Sequence, residues 1–193
     1  MPILMIIEVP GMSTDTYDRT NEHAGAEADV PEGLISHVAS VEGDTLIVAD
    51  VWESEEAINR FFEERLGAAL AANDVEAHPR FFPVHNHIVR GAGSHPGVLL
   101  LWEADGFTPP VYDELIAKMP AHSGEGSAHP SYSHVAAVTD DGMVFVDVWD
   151  SPESVQRFLE EQIIPAAGGA TPPGQPRFAR VHNAFAGAQR QPA

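Results

Sequence analysis

The sequence predicts an α+β fold in which two tandem βαββαβ repeats close on one another within a single chain. Three observations carry this. One half of the chain repeats the other. Each half orders short apolar runs and helical segments in the same way. The sheet that such a half builds has a bare face that only a second half covers.

The repeat can be read directly. His37–Glu64 aligns without gaps on His134–Glu161 at a spacing of 97 residues, with 14 of 28 positions identical. The same spacing brings PRFFPVHN at 79–86 onto PRFARVHN at 176–183. Upstream, ILMIIEVPGMSTDTYD from Ile3 matches VLLLWEADGFTPPVYD from Val98 at a spacing of 95, so one loop differs by two residues. With GAGSHPG at 91–97 as the join, the halves are 1–92 and 93–193. Such a period is too long for a solenoid and suits two small domains.

In the first half, Ile3–Val9 is a short apolar run ending at Pro10-Gly11, the pattern of a buried strand and a turn. Ser13 to about Ala26 is polar and weakly helical, anchored by Tyr17. Leu34–Val41 and Leu46–Trp52 are rich in β-formers and flank EGDT, a hairpin signal. Ser54 then caps a helix that carries Ile58, Phe61, Phe62 and Leu66 at helical spacing. In the second half Ser151 is the cap, and Pro152 takes the first helical position, where a missing N–H costs nothing. Phe81–Val89 closes the unit as a last strand. This order is the ferredoxin-like split βαβ motif, with strands in the order 4-1-3-2 and both helices on one face. Two such sheets packed face to face, strand 2 of one meeting strand 4 of the other, bury the remaining face.

The hairpin also sets a register. If Val41 opposes Leu46, His37 lies opposite Asp50, and His134 opposite Asp147. Alternation puts Ile47, Ala49 and Val51 on one face, small and aliphatic as helix packing asks. Leu46, Val48, Asp50 and Trp52 fall on the other, matched by Met143, Phe145, Asp147 and Trp149. This second face is expected to look into the barrel, where each buried Asp is paired with its cross-strand His. His37, Asp50, His134 and Asp147 are therefore the candidate catalytic groups. Trp52, Trp149 and Phe145 would wall an apolar cavity on which Glu8, Glu103, His85, Arg180 and His182 converge. His37 should lie nearer His182, and His134 nearer His85.

Plainer readings stand beside this one. Two copies of a His–Asp pair follow from common descent alone, and the Trp rings serve packing as well as ligand contact. A metal held by His85, His87 and His134 is a further alternative. No H-E-x-x-H pattern supports it, and the second half has Ala184 where His87 would repeat, so no metal is the reading taken. His23 is expected on an exposed helix. His78, His95, His122 and His129 fall in Gly/Pro/Ser-rich loops and read as surface residues.

Composition narrows the function classes. Ten basic against 29 acidic side chains leave a net charge of −19, which argues against nucleic acid and against an anionic membrane surface. The absence of cysteine excludes disulfides, thiolate chemistry and Cys-ligated zinc or iron–sulfur centres. No apolar run reaches the ~18–20 residues of a membrane span. The start has no basic n-region of a secretory signal. A soluble, cytoplasmic protein is expected. No glycine loop able to cradle phosphate opens a helix, and no G-x-S-x-G elbow is present.

The run DVWESEEAINRFF at Asp50–Phe62, following the GLISHVASVEGDTLIV hairpin, resembles the antibiotic biosynthesis monooxygenase (ABM) superfamily. The resemblance covers nearly the whole chain twice. It implies an intramolecular dimeric α+β barrel and a small-molecule enzyme. The superfamily includes cofactor-independent monooxygenases of aromatic polyketides, haem-degrading enzymes, cyclases and isomerases. Haem is not expected here, because Trp52 lies at a strand end rather than in a helix. The implied activity is cofactor-free oxygenation of a phenolic, polyketide-like substrate. His37 or His134, oriented by Asp50 or Asp147, would be the general base. The alternatives are a non-catalytic binding protein for a hydrophobic metabolite or metal, and a cyclase or isomerase using the same base. The expected partner is a small hydrophobic or aromatic molecule. With the barrel closed within the chain, a monomer is expected.

Overall fold

The computed structural model describes residues 1–89, 96–119, 131–169 and 173–187. His95, His122, His129 and most of the 91–97 join lie outside the described residues. The fold is α+β, with two βαββαβ repeats of ferredoxin-like type. The first repeat runs β1 (Ile3–Pro10), α1 (Thr14–Ala24), β2 (Leu34–Glu42), β3 (Thr45–Trp52), α2 (Glu55–Phe61), α3 (Gly67–Ala72) and β4 (Arg80–Val89). The second runs β5 (Val98–Asp105), α4 (Pro109–Lys118), β6 (Ser133–Val138), β7 (Gly142–Trp149), α5 (Pro152–Phe158), α6 (Ile164–Ala166) and β8 (Arg177–Ala186). Among the described residues no helix is long and apolar enough to cross a membrane.

Local chemistry explains the boundaries. The Ser13 hydroxyl accepts from the Thr16 N–H at 3.1 Å to start α1, and Gly25, in the left-handed region at φ 62°, ends it. Ser54 and Ser151 cap the second helices as expected, accepting from the N–H groups of Ala57 and Ser154. One feature was not expected. A π-helical turn over Phe62–Leu66 joins α2 to α3, and a matching one over Leu159–Ile163 joins α5 to α6. The wider turn lets Leu66 in one repeat, and Leu159 and Ile163 in the other, line a cavity.

The residues group into two compact units, Met1–Val84 with Ala179–Ala193, and His85–Phe178. In the first, antiparallel pairing gives the order β4-β1-β3-β2-β8. That is the expected 4-1-3-2 sheet with the last strand of the second repeat added beside β2. In the second unit β5, β7 and β6 pair in that order, and residues 85–89 of β4 belong to it.

The hairpin register is as read from the sequence: His37 is opposite Asp50 and His134 opposite Asp147. The facing is the reverse of the expectation. Trp52, Met5, Ile7 and Leu34 pack with Ala57, Ile58 and Phe61 of α2, so the face bearing Asp50 looks toward its own helices and not into a barrel interior. Ile47, Ala49 and Val51, on the opposite face, are buried as completely, at 1, 4 and 1% exposure. A strand buried on both sides looks apolar on both sides, and alternation cannot say which side meets the helices. The buried charge decides it. On the helix side the pair meets a polar partner, Tyr17 from α1.

Candidate functional site

In the first unit the polar groups form one hydrogen-bonded chain. Asp50 at 5% exposure and His37 at 9% are both buried, and His37 Nδ1 lies 2.7 Å from Asp50 Oδ1. A carboxylate only accepts, so Nδ1 carries the proton and Nε2 is the acceptor. The Tyr17 hydroxyl fills that role and donates to Nε2 at 2.7 Å. Asn183, from β8, donates its Nδ2–H to the Tyr17 oxygen at 3.3 Å and to Glu27 Oε2 at 3.2 Å. Burial pushes the Tyr17 hydroxyl well above its ordinary 10.0, so it enters any proton transfer as the neutral phenol.

The second unit repeats the arrangement. His134 Nδ1 donates to Asp147 Oδ1 at 2.7 Å, and Tyr112 Oη donates to His134 Nε2 at 2.8 Å. Asn86, from β4, donates to the Tyr112 oxygen at 2.8 Å. Burial, the largest cause, pushes the Tyr112 hydroxyl up to about 12. Each tyrosine is thus held by an asparagine that the other repeat contributes.

Each chain borders an apolar cavity between its sheet and its helices. The first, about 80 Å³, is lined by His37, Asp50, Trp52, Val48 and helix residues including Tyr17 and Leu66. The second, about 60 Å³, is lined by His134, Asp147, Trp149, Phe145 and Tyr112 among others. Both hold a few polar groups in an apolar wall, the composition of a small-molecule site.

No protein-family model and no curated protein matches this chain by sequence. Solved structures do match it. A candidate monooxygenase from Lactobacillus acidophilus superimposes with a TM-score of 0.68 at 11% identity, covering 96% of both chains. One from Fusobacterium nucleatum gives 0.69 at 10% identity, over 96% of this chain and 94% of its own. An uncharacterized ferredoxin-fold protein of Listeria monocytogenes, related to the antibiotic biosynthesis monooxygenases, gives 0.55 at 7% identity, over 95% and 96%. This chain shares the ferredoxin-like fold of these proteins.

On that scaffold the predicted site residues separate into two groups. His37, Asp50, Trp52, His134, Asp147, Trp149 and Phe145 line the cavities. Glu8, Glu103, His85, Arg180 and His182 do not. Glu8 alternates with the cavity-lining Ile7 and Val9, so it points away, 3.0 Å from Arg80. Glu103 and Arg180 are exposed. His182 does lie in the unit of His37, and His85 in that of His134, but each bonds an aspartate on a first helix: Asp18 at 2.7 Å and Asp113 at 2.8 Å. His85, His87 and His134 do not assemble a ligand set: among the described residues no three His, Asp or Glu groups are placed to hold a metal.

The sequence reading missed Tyr17 and Tyr112 as site residues, and Asn183 and Asn86 with them. Their signal was present. Tyr-Asp at 17–18 and 112–113 and His-Asn at 85–86 and 182–183 all lie inside the aligned segments of the two repeats.

Proposed function

We propose that this protein is a small-molecule enzyme, a cofactor-free oxygenase of a compact phenolic substrate. The observation that carries it is the buried Tyr–His–Asp chain bordering an apolar cavity. A phenol oxygen has one proton to give and two lone pairs. Tyr17 gives its proton to His37 and receives one bond from Asn183, so one lone pair is left for a substrate O–H. The substrate proton passes to Tyr17 as the tyrosine's own proton passes to His37 Nε2, and Asp50 stabilises the imidazolium. The imidazole thus acts through Tyr17, where the sequence reading had it meet the substrate directly. The electron-rich anion left behind is the group that reduces dioxygen, and the apolar wall keeps water from it. The fold neighbours described as candidate monooxygenases support this reading.

The test is dioxygen uptake with one-ring phenols and hydroquinones. The doubly substituted His37→Ala, His134→Ala protein is expected to lose turnover. Unchanged turnover in that variant sinks the assignment.

One observation favours a second reading, a binding protein without turnover. Each polar group of the chain already has a partner inside the protein, as a purely structural network would. In that case a ligand raises the melting temperature and no product forms.

A further inference from the structure

The two polar chains are nearly superimposable in kind, but the apolar walls beside them are not. In the second unit Phe145 sits at the centre of a ring cluster. Its centroid is 5.5 Å from Trp102, 5.8 Å from Phe107, 5.9 Å from Tyr112 and 6.4 Å from His134. The first repeat has aliphatic side chains at all three apolar positions of that cluster. Val48 matches Phe145, Ile7 matches Trp102 and Met12 matches Phe107, and all three line the first cavity. A benzene ring therefore stands against both Tyr112 and His134 in one unit; at the corresponding position the first unit has Val48, and the ring against His37 there is Phe185 from β8, 4.6 Å away.

A second observation bears on what the pocket would take, and not on which unit holds it. The indole Nε1–H of Trp52, a fully buried residue that lines the first cavity, has no hydrogen-bond partner among the described residues. A buried donor of this kind is normally satisfied, and a ligand oxygen in the cavity would satisfy it.

We propose that the first unit holds the ligand-binding pocket, and that it takes one aromatic ring bearing oxygen substituents, seated where Phe145 stands in the second unit. Phe145 itself occupies that place in the second pocket, which measures about 60 Å³. The size argues for one ring and no more. The first cavity measures about 80 Å³, whereas a cavity of ~150 Å³ holds benzene in an engineered core. A single ring enters by displacing the flexible ends of Met12, Leu66 and Leu70, which line the cavity; a fused multi-ring polyketide does not. One hydroxyl of the ring meets Tyr17, and another oxygen accepts from Trp52.

This inference takes the cavity as the substrate site but is read by binding alone. The probe is hydroquinone under anaerobic conditions, titrated calorimetrically against the full chain, with toluene as the oxygen-free comparison. Wild type is expected to bind one hydroquinone per chain. Val48→Phe is expected to bind none, and Phe145→Val two. Trp52→Phe should weaken hydroquinone about tenfold, the worth of one hydrogen bond, and leave toluene unchanged. Circular dichroism confirms that each variant is folded, and the gain in Phe145→Val does not depend on the loss in Val48→Phe. Two equivalents in wild type, none in wild type, or one in both core variants would overturn the proposal. Binding as expected with no oxygen uptake would leave it standing and would instead remove the oxygenase reading.

Discussion

Replacing Tyr17 by Phe removes one oxygen and keeps the ring. The ring is 5% exposed, so water cannot take the place of the lost hydroxyl at low cost. His37 Nε2 loses the donor 2.7 Å away and stays buried with its other nitrogen still committed to Asp50. An unsatisfied buried acceptor costs ~1–3 kcal/mol, and the missing oxygen leaves almost no cavity. Asn183 loses one acceptor but keeps Glu27 at 3.2 Å, so its share is small. The expected loss is therefore ~2 kcal/mol, a factor of ~30 in the unfolding constant. For a chain of 193 residues that is a fall in melting temperature of ~4–8 °C. Urea unfolding followed by fluorescence measures it. A double-mutant cycle with His37→Phe should show that most of the loss is coupling between the two side chains. A loss within ~0.5 kcal/mol of wild type would mean that the buried hydroxyl is not holding the imidazole, and the relay falls with it.

The matched substitution Tyr112→Phe should cost up to ~1 kcal/mol more than Tyr17→Phe, because among the described residues the Asn86 amide, 2.8 Å away, donates only to that tyrosine; equal losses would refute this. Alkali should act through the same two rings. Tyr112 holds its proton up to about 12, against 10.0 unfolded, so its contribution is whole below pH 10 and is lost as pH rises toward 12. That difference corresponds to about 3 kcal/mol, lost over that window. Absorbance of tyrosinate at alkaline pH should show two of the three tyrosines ionising only as the protein unfolds. Backbone strain gives an independent check of the fold. Gly33→Ala, at φ 88° with a Cβ 2.6 Å from that of Ala57, should cost ~3 kcal/mol in urea. Gly43→Ala, at φ 61° with open space around it, should cost only ~1 kcal/mol.

What was legible in the sequence was whatever rests on local pattern. The Ser54 and Ser151 caps, the β-hairpin register that sets His37 against Asp50, and the pairing of β2 with β8 all followed from spacing and from the need to cover a sheet. Facing was not legible, since both sides of β3 are buried and both are apolar apart from Asp50. Neither was the role of Tyr17. One tyrosine on a polar helix reads as an anchor, and its bond to His37 depends on how α1 lies over the sheet. The π turns were hidden for a similar reason: Ile58, Phe61, Phe62 and Leu66 fit a regular helix equally well. Glu8 and Glu103 were misplaced by one step of alternation.

The agreement between the two polar chains and the disagreement between their walls have different causes. In each chain the groups satisfy one another in a dry setting, and losing any one leaves its neighbours buried and unpaired. Stability alone suffices to retain such a network, so its presence twice does not argue that chemistry happens twice. The walls are under no such constraint. Exchanging Val48 for a phenylalanine, or Ile7 for a tryptophan, changes volume but strands no polar atom, and a core tolerates it if its neighbours change in step. Separate homodimer subunits share one sequence, so both of their walls are the same. Fusing the repeats in one chain removes that bond and lets one cavity narrow around Phe145, to about 60 Å³, as the other keeps about 80 Å³ beside Val48. Ligand preference in this chain is therefore to be sought in the apolar wall positions that differ, Ile7, Met12 and Val48 among them, ahead of the polar groups that do not.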